Sequence, residues 1–372
     1  MFWWLARPPR PPGVRPAKVE APAQHSATAT TARSLANQPG AQGLQSAARP
    51  ATPVRIARAP VASPATKISA PALNAAPFQS LQEPPTNLFP RPVRDVAEAQ
   101  IALARLDLSS GSVDGRPGPQ TTLAVAAFQR SNHLPETGRL DPLTREALRL
   151  TRPAFTNYVV TVSDLNRLQP LSQTWAGKAQ QTALDYESIL ELVAEKSRTH
   201  PELLRRMNPP EVFLAPAAGT TIIVPDTEPG ESAPCAFIRI ALAARTLEVF
   251  DAESNLMAHF PCSIAQRVEK RPAGELHVAS IAPNPNYTFD PALFPESAEA
   301  NQLGHKLVLP PGPNNPVGVA WIGLDKPGYG IHGTPLPEQV GRTESHGCFR
   351  LANWNAEHLL KIVSLGTPVY VE

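Results

Sequence analysis

The chain has 372 residues with 44 prolines, three cysteines and a formal net charge of +2. That length accommodates two or three domains, and the near-neutral charge excludes a nucleic-acid binder driven by overall basicity. Three cysteines are too few for a disulfide-built scaffold, and no stretch reaches the roughly 18–20 consecutive apolar residues of a membrane span.

Residues 1–92 hold 17 prolines, ten Lys+Arg and two acids, Glu20 and Glu83. Large apolar groups are few, so the segment cannot bury enough surface to offset its ordering entropy, and a disordered basic arm or spacer is expected. The remaining residues carry 24 basic and 30 acidic side chains, an acidic globular body. The opening MFWWLARPPRPP places only six apolar residues before Arg7. A secretory signal carries an apolar core of about 7–15 residues.

Helical spacing begins in VRDVAEAQIALARLDLSS (93–110), where Val96, Ala99, Leu103 and Leu106 recur on one side. After GSVDGRPGPQ (111–120), TTLAVAAFQRSNHL (121–134) predicts a second helix. LDPLTREALRL (140–150) predicts a third, with Asp141 as N-cap and Pro142 in its first turn. Gln100, VDG (113–115), GPQTTLAVAAFQ (118–129) and TG…LDPLTREAL (137–148) resemble the peptidoglycan-binding-like module, over residues 93–150. The resemblance implies wall binding; most of these residues equally suit a core and its turns.

Residues 155–226 predict a second small module. TNYVVTVSDL (156–165) starts as a strand, LDYESILELVAEKSRTHPELLRRMNP (184–209) is helical, and AAGTTIIVP (217–225) returns as a strand. MNP (207–209) and AGTTIIVP (218–225) resemble a LysM-type glycan-binding unit, with a longer stretch than that pattern has between the first strand and the helix. Either glycan contact or a spacer role follows.

From 234 to 372 the chain is all-β in texture. Short strands are predicted at 236–242, 246–251, 256–265, 274–283, 320–324, 328–333 and 367–372. One helix, NWNAEHLLKIVSLG (353–366), lies near the end, with Asn353 or Asn355 as its cap and Gly366 beyond its C-terminus. The expected fold is a β-sandwich-like or barrel-like domain with one packed helix.

Cys348 stands in ESHGCFRL (344–351), sixteen residues after His332 of YGIHG (329–333). The turn around it is polar, which argues against a purely structural thiol. His332, His346 and Cys348 are three potential zinc ligands, yet no fourth partner sits at a telling spacing. A nucleophilic cysteine needs a base or positive charge, a group that orients the base, and amides for an oxyanion. His332, the Gly347 and Cys348 N–H groups, and Arg350 supply those parts. Gly347 is expected to permit an unusual backbone geometry. Cys235 and Cys262 either pair as a disulfide or are separate small apolar residues.

IHGTPLPEQVGRTESHGCFRL (331–351) resembles the signature of YkuD-type L,D-transpeptidases, supported by PPGPNNPVGVAWIGL (310–324), HFPCSIA (259–265) and RPAGELHV (271–278). The resemblance implies Cys348 as nucleophile and His332 as general base and acid. It implies that Ser345 and His346 shape the cysteine loop, that the Gly333 carbonyl orients His332, that the Gly347 and Cys348 amides form an oxyanion hole, and that Arg350 positions the loop or the donor. It implies acyl transfer between peptidoglycan stem peptides without metal or organic cofactor. The acceptor is a stem amine giving a 3–3 cross-link, water as in an L,D-carboxypeptidase, a D-amino acid, or an outer-membrane lipoprotein. Such a substrate implies the periplasm or cell envelope, with residues 1–92 as a tether after an export segment. The reading from another class is a non-catalytic wall-anchoring scaffold.

Overall fold

The computed structural model describes residues 88–230, 233–294, 297–343, 345 and 347–372. The expected basic arm lies outside the described residues except for 88–92, and so does His346.

The first module comprises β1 (Arg91–Pro92), α1 (Val96–Arg105), α2 (Pro119–Ser131), α3 (Pro142–Ala147) and β2 (Arg149–Leu150). Asp95 caps α1 by accepting the Glu98 N–H, and Asp141 caps α3 by accepting the Thr144 N–H, with Pro142 opening that helix. β1 pairs antiparallel with β2, Arg91 opposite Leu150. The module therefore starts before residue 93, and 149–150 form a strand rather than the end of a helix. Gln100 and Gln129 act as internal braces. The Gln100 amide donates to Asp114 and Thr121 and accepts the Gly115 N–H, fixing the VDG turn. The Gln129 amide does the same for Thr137, Thr144 and Gly138.

In the middle module β3 (Phe155–Val159) pairs antiparallel with β4 (Thr221–Pro225). Between them run α4 (Val162–Asn166), α5 (Trp175–Ala179), α6 (Ile189–Lys196), α7 (Pro201–Met207) and α8 (Glu211–Leu214). Ile189, Leu192, Val193, Leu204 and Ile222 form its core. The long stretch before α6 is packed against the last domain. Trp175 stacks on Phe289 at 4.2 Å between ring centroids, and the Leu184 N–H donates to the Pro311 carbonyl at 2.8 Å. Gly312, at φ +143°, lies so close to this strap that a Cβ would fall 2.2 Å from the Leu184 oxygen.

The last domain contains β5 (Phe237–Ala241), β6 (Thr246–Phe250), β7 (Leu256–Pro261), β8 (Gly274–Pro283), β9 (Tyr287–Phe289), α9 (Ala298–Leu303), β10 (Leu307–Leu309), β11 (Ala320–Leu324), β12 (Gly330–His332), β13 (Phe349–Arg350), α10 (Asn353–Ile362) and β14 (Pro368–Val371). Eight of these strands form one mixed sheet in the order β13-β12-β11-β8-β14-β5-β6-β7. It is a single sheet rather than the two facing sheets of a sandwich, and it curls. Ser263, just past β7 at one edge, bridges antiparallel to Arg350 of β13 at the other, with both backbone bonds at 2.9 Å. Inward-facing Ile238, Leu247, Phe260, Ile322, Ile331 and Phe349 pack with Leu359 and Ile362 of α10 in the core. Apolar burial of this kind stabilises at about 25 cal/mol per Å².

The cap of α10 differs from expectation. Ala352 occupies the N-cap position without a side-chain bond, and Asn353 is the first helical residue, its amide turned elsewhere. Cys235 and Cys262 are both free, so the disulfide alternative does not hold. Among the described residues no helix is long and apolar enough to cross a membrane.

Candidate active site

β12 and β13 run parallel, with Ile331 opposite Phe349 and His332 opposite Arg350. Side chains alternate between the two faces of a strand. Ile331 and Phe349 point into the core, which puts His332 and Arg350 on the opposite face. Cys348 immediately precedes β13, in the turn that leads into that strand, two residues before Arg350. β11 flanks the other side, where Trp321 pairs with His332 and its indole lies on the imidazole, centroids 5.7 Å apart and planes 20° apart.

His332 is buried. Its Nδ1 lies 2.6 Å from the Gly333 carbonyl. A carbonyl only accepts, so Nδ1 carries the proton and Nε2 is left basic. Burial depresses the imidazole pKa to about 4; the Gly333 carbonyl opposes this and nearby Arg350 adds to it. Burial also pushes the Cys348 thiol above its ordinary value, with a bond from the Gly330 backbone and the charge of Arg350 pulling the other way. At rest the thiol and the imidazole are thus both neutral. Arg350 acts in the direction expected of it, and desolvation outweighs it. Half-buried Cys348 directs Sγ toward the Gly328 carbonyl at 3.6 Å. Tyr287 is near enough for the Cys348 sulfur to add to the upward push that burial gives its phenol.

Ser345 ties the cysteine turn together. Its N–H donates to the Ile264 carbonyl at 2.8 Å, and its hydroxyl donates to the Cys348 carbonyl at 2.6 Å while accepting the Gly347 N–H at 3.3 Å. Gly347 is not in the left-handed region, and among the described residues nothing lies within 4 Å of a Cβ built on it. Its value is open space beside the sulfur rather than unusual backbone geometry. Among the described residues no group of three or more His, Cys, Asp or Glu side chains is placed to hold a metal ion. Cys262 is sealed from solvent, and burial raises its thiol to about 12.

Residues that sequence reasoning passed over hold the histidine side of the site. Asn353 Oδ1 accepts the Thr334 N–H at 3.0 Å and the Val319 N–H at 3.4 Å. Gly318 and Gly333 crowd that oxygen so closely that a Cβ on either would sit 2.0 Å or 2.2 Å from it. In the sequence Asn353 was legible only as a helix cap. The loop between His332 and Cys348 is also braced, once from within its own domain and once from the first module. The Gly341 N–H donates to Ser263 Oγ at 2.9 Å, and the Gln120 amide of the first module donates to the Val340 carbonyl.

Residues 236–371 match the model of the L,D-transpeptidase catalytic domain (YkuD), and residues 93–148 match that of the "Putative peptidoglycan binding domain". The chain is 28% identical over 182 residues to the "Putative L,D-transpeptidase YkuD" of Bacillus licheniformis, covering 49% of this chain and 92% of that protein. It is 35% identical over 105 residues to the "Putative L,D-transpeptidase YqjB" of Bacillus subtilis, covering 27% of this chain and 51% of that protein. A solved L,D-transpeptidase from Mycobacterium smegmatis shares 19% identity over 42% of this chain and 64% of its own, with a TM-score of 0.29. At that score the superposition adds nothing to the sequence matches. The chain thus carries a domain matching the L,D-transpeptidase catalytic family (YkuD) over residues 236–371, behind a stretch matching a putative peptidoglycan-binding domain over residues 93–148.

Proposed function

We propose that this chain is a peptidoglycan L,D-transpeptidase that works through a thioester on Cys348 and forms 3–3 cross-links. The observation that carries the reading is the parallel β12–β13 register, in which one strand ends at His332 and its neighbour begins one residue after Cys348, with the basic Nε2 not engaged by Gly333. A neutral thiol and a neutral imidazole form a competent pair, because one proton transfer creates the thiolate as the attack occurs.

In the first half-reaction His332 Nε2 takes the Cys348 proton. The sulfur bonds to the carbonyl carbon of the third stem residue, a diamino acid. The oxyanion is met by the Cys348 N–H, with the Gly347 N–H joining once it leaves Ser345. The C–N bond to the terminal D-alanine breaks, and the protonated His332 gives its proton to the leaving amine. In the second half-reaction a side-chain amine of another stem attacks the thioester, His332 accepts its proton, and the proton returns to the departing sulfur. Arg350 stabilises the thiolate as it forms. Water as acceptor makes the same enzyme an L,D-carboxypeptidase, and an outer-membrane lipoprotein lysine makes it an attachment enzyme. The upstream modules suit a wall-bound location in the cell envelope, the middle one by its LysM-like order of elements.

Incubation of the full chain with a disaccharide-tetrapeptide donor tests this by intact-protein mass. A mass gain of acyl tripeptide on the wild type, lost in Cys348→Ala, is expected, and a cross-linked dimer when an amine acceptor is present. Release of tripeptide alone with the amine present favours the carboxypeptidase. No adduct and no product favours the non-catalytic scaffold.

A further inference from the structure

The peptide between Gly333 and Thr334 is one rigid plane. At one end its carbonyl accepts the His332 Nδ1–H, and at the other its N–H donates to Asn353 Oδ1. Whatever fixes the Asn353 amide therefore fixes the group that selects the His332 tautomer. An amide side chain has two ends of nearly equal shape, and its partners decide which end is which. Two backbone N–H groups, of Thr334 and Val319, demand the oxygen. The nitrogen end is held by the Pro313 carbonyl at 3.1 Å and by Glu195 Oε2 at 2.8 Å.

Glu195 does not belong to the catalytic domain. It sits on α6 of the middle module, 158 residues from its partner, and its other oxygen accepts the Tyr186 hydroxyl at 2.9 Å. Its hydrogen-bond partners are thus neutral, with Arg167 and Glu191 acting on it only at a distance. Glu195 is only half-buried and lines an open cavity, yet both of its oxygens are spent on these two partners. The carboxyl thus has a use beyond holding α6 against α10. That use is not set by chance packing, because the junction is built on both sides. Asn314 bonds the Asp185 carbonyl at 3.0 Å, and the Leu184 backbone bonds Pro311 and Asn314.

We propose that Glu195 is a positioning residue for His332: through Asn353 it orients the Gly333–Thr334 peptide, so the docked middle module sets the tautomer of the base in the neighbouring domain. The inference rests on the reading of His332 as general base. It makes full rate depend on the module being seated, and not only on the domain that carries the thiol.

The test uses the full chain with Glu195→Met, which fills similar space without an acceptor, Glu195→Gln, which keeps one, Asn353→Ala, the Glu195→Met/Asn353→Ala double variant, and Cys348→Ala. Glu195→Leu replaces the Met variant should that one not fold. Two quantities are read: kcat and KM for tetrapeptide donor with amine acceptor, and the His332 ring nitrogens by long-range 15N–1H NMR. Glu195→Met is expected to lower kcat about tenfold with KM within about twofold, as small misplacements of a base do, and to mix the His332 tautomers. Glu195→Gln is expected to recover most of the rate, and the double variant to lose no more than Asn353→Ala alone. Wild-type kcat and an unchanged tautomer in Glu195→Met overturn the proposal, as does additive loss in the double variant. Wild-type turnover no higher than that of Cys348→Ala overturns the functional reading instead, while the NMR readout still decides the positioning role.

Discussion

Gly318→Ala is the sharpest probe of the histidine support. Gly318 is left-handed at φ +62°, and its Cβ would lie 2.0 Å from Asn353 Oδ1 and 2.7 Å from the Gly333 carbonyl carbon. The conformation alone costs a side-chain-bearing residue about 1–2 kcal/mol. Displacing the Asn353 oxygen leaves the buried Thr334 N–H without its acceptor, at a further cost of about 1–3 kcal/mol. The sum is roughly 2–5 kcal/mol, a large part of an ordinary domain's stability. Gly328→Ala is the control, because Gly328 is also left-handed, at φ +81°, yet nothing lies within 4 Å of its Cβ. It is expected to lose only about 1–2 kcal/mol. Denaturant midpoints compare the two variants, and native-state hydrogen exchange reports on the Thr334 amide. Equal midpoints, or an unchanged Thr334 exchange rate in Gly318→Ala, refute the account of Asn353 as the keystone of this corner.

Three further outcomes are expected. Under iodoacetamide, native protein is labelled at Cys348 long before Cys262, which is sealed and raised to about 12. The Cys348 rate keeps climbing above the ordinary thiol range, because burial raises that pKa too. Peptide mapping checks both, and a rate plateau near neutrality contradicts the neutral resting pair. Stability falls on acidification, because His332 is depressed from 6.5 to about 4 in the fold. The unfolded chain therefore binds the proton first, and the contribution is full above pH 6.5 and lost as pH drops through 4, to a ceiling of roughly 3 kcal/mol. Melting curves of wild type and His332→Gln between pH 7 and 4.5 check this; identical pH slopes tell against it. Finally, Gly312→Ala drives a Cβ to 2.2 Å from the Leu184 oxygen and 2.5 Å from its carbon. A loss of roughly 1–3 kcal/mol is expected, with new protease cleavage near residue 184, and an unaltered digestion pattern argues that the strap is not held there.

The proposed reactive residues stand out in the sequence because their chemistry is local. A cysteine in a polar turn next to Ser345 and Arg350, with His332 closing a short strand, carries its meaning in residue type and spacing. The strands were legible for a similar reason, since alternation in segments such as 274–283 reports burial on one face. What failed were features set by long-range partners. Asn353 looks like a cap because caps and buried amides use the same residue, and only the approach of Gly318 and Gly333 distinguishes them. The sandwich expectation failed because alternation shows which face is buried and says nothing of which strands share a sheet. The edge-to-edge bridge between Ser263 and Arg350 joins residues 87 positions apart. Glu195 carries no local signal, because its proposed role depends on a domain that begins some forty residues later.

The parallel pairing of β12 with β13 has a consequence for how this domain diverges. Parallel neighbours need a long return path between them, and here residues 333–348 provide it. His332 is held by its own strand and by β11, and the cysteine turn is clamped separately through Ser263 and Ile264. Between its pinned points at Gly333, Thr334, Val340, Gly341, Ser345 and Gly347, the return path is free to change sequence while its two ends stay in place. Under the proposed function, a change of acyl acceptor has in those positions a segment to work on that borders His332 and Cys348 without including them.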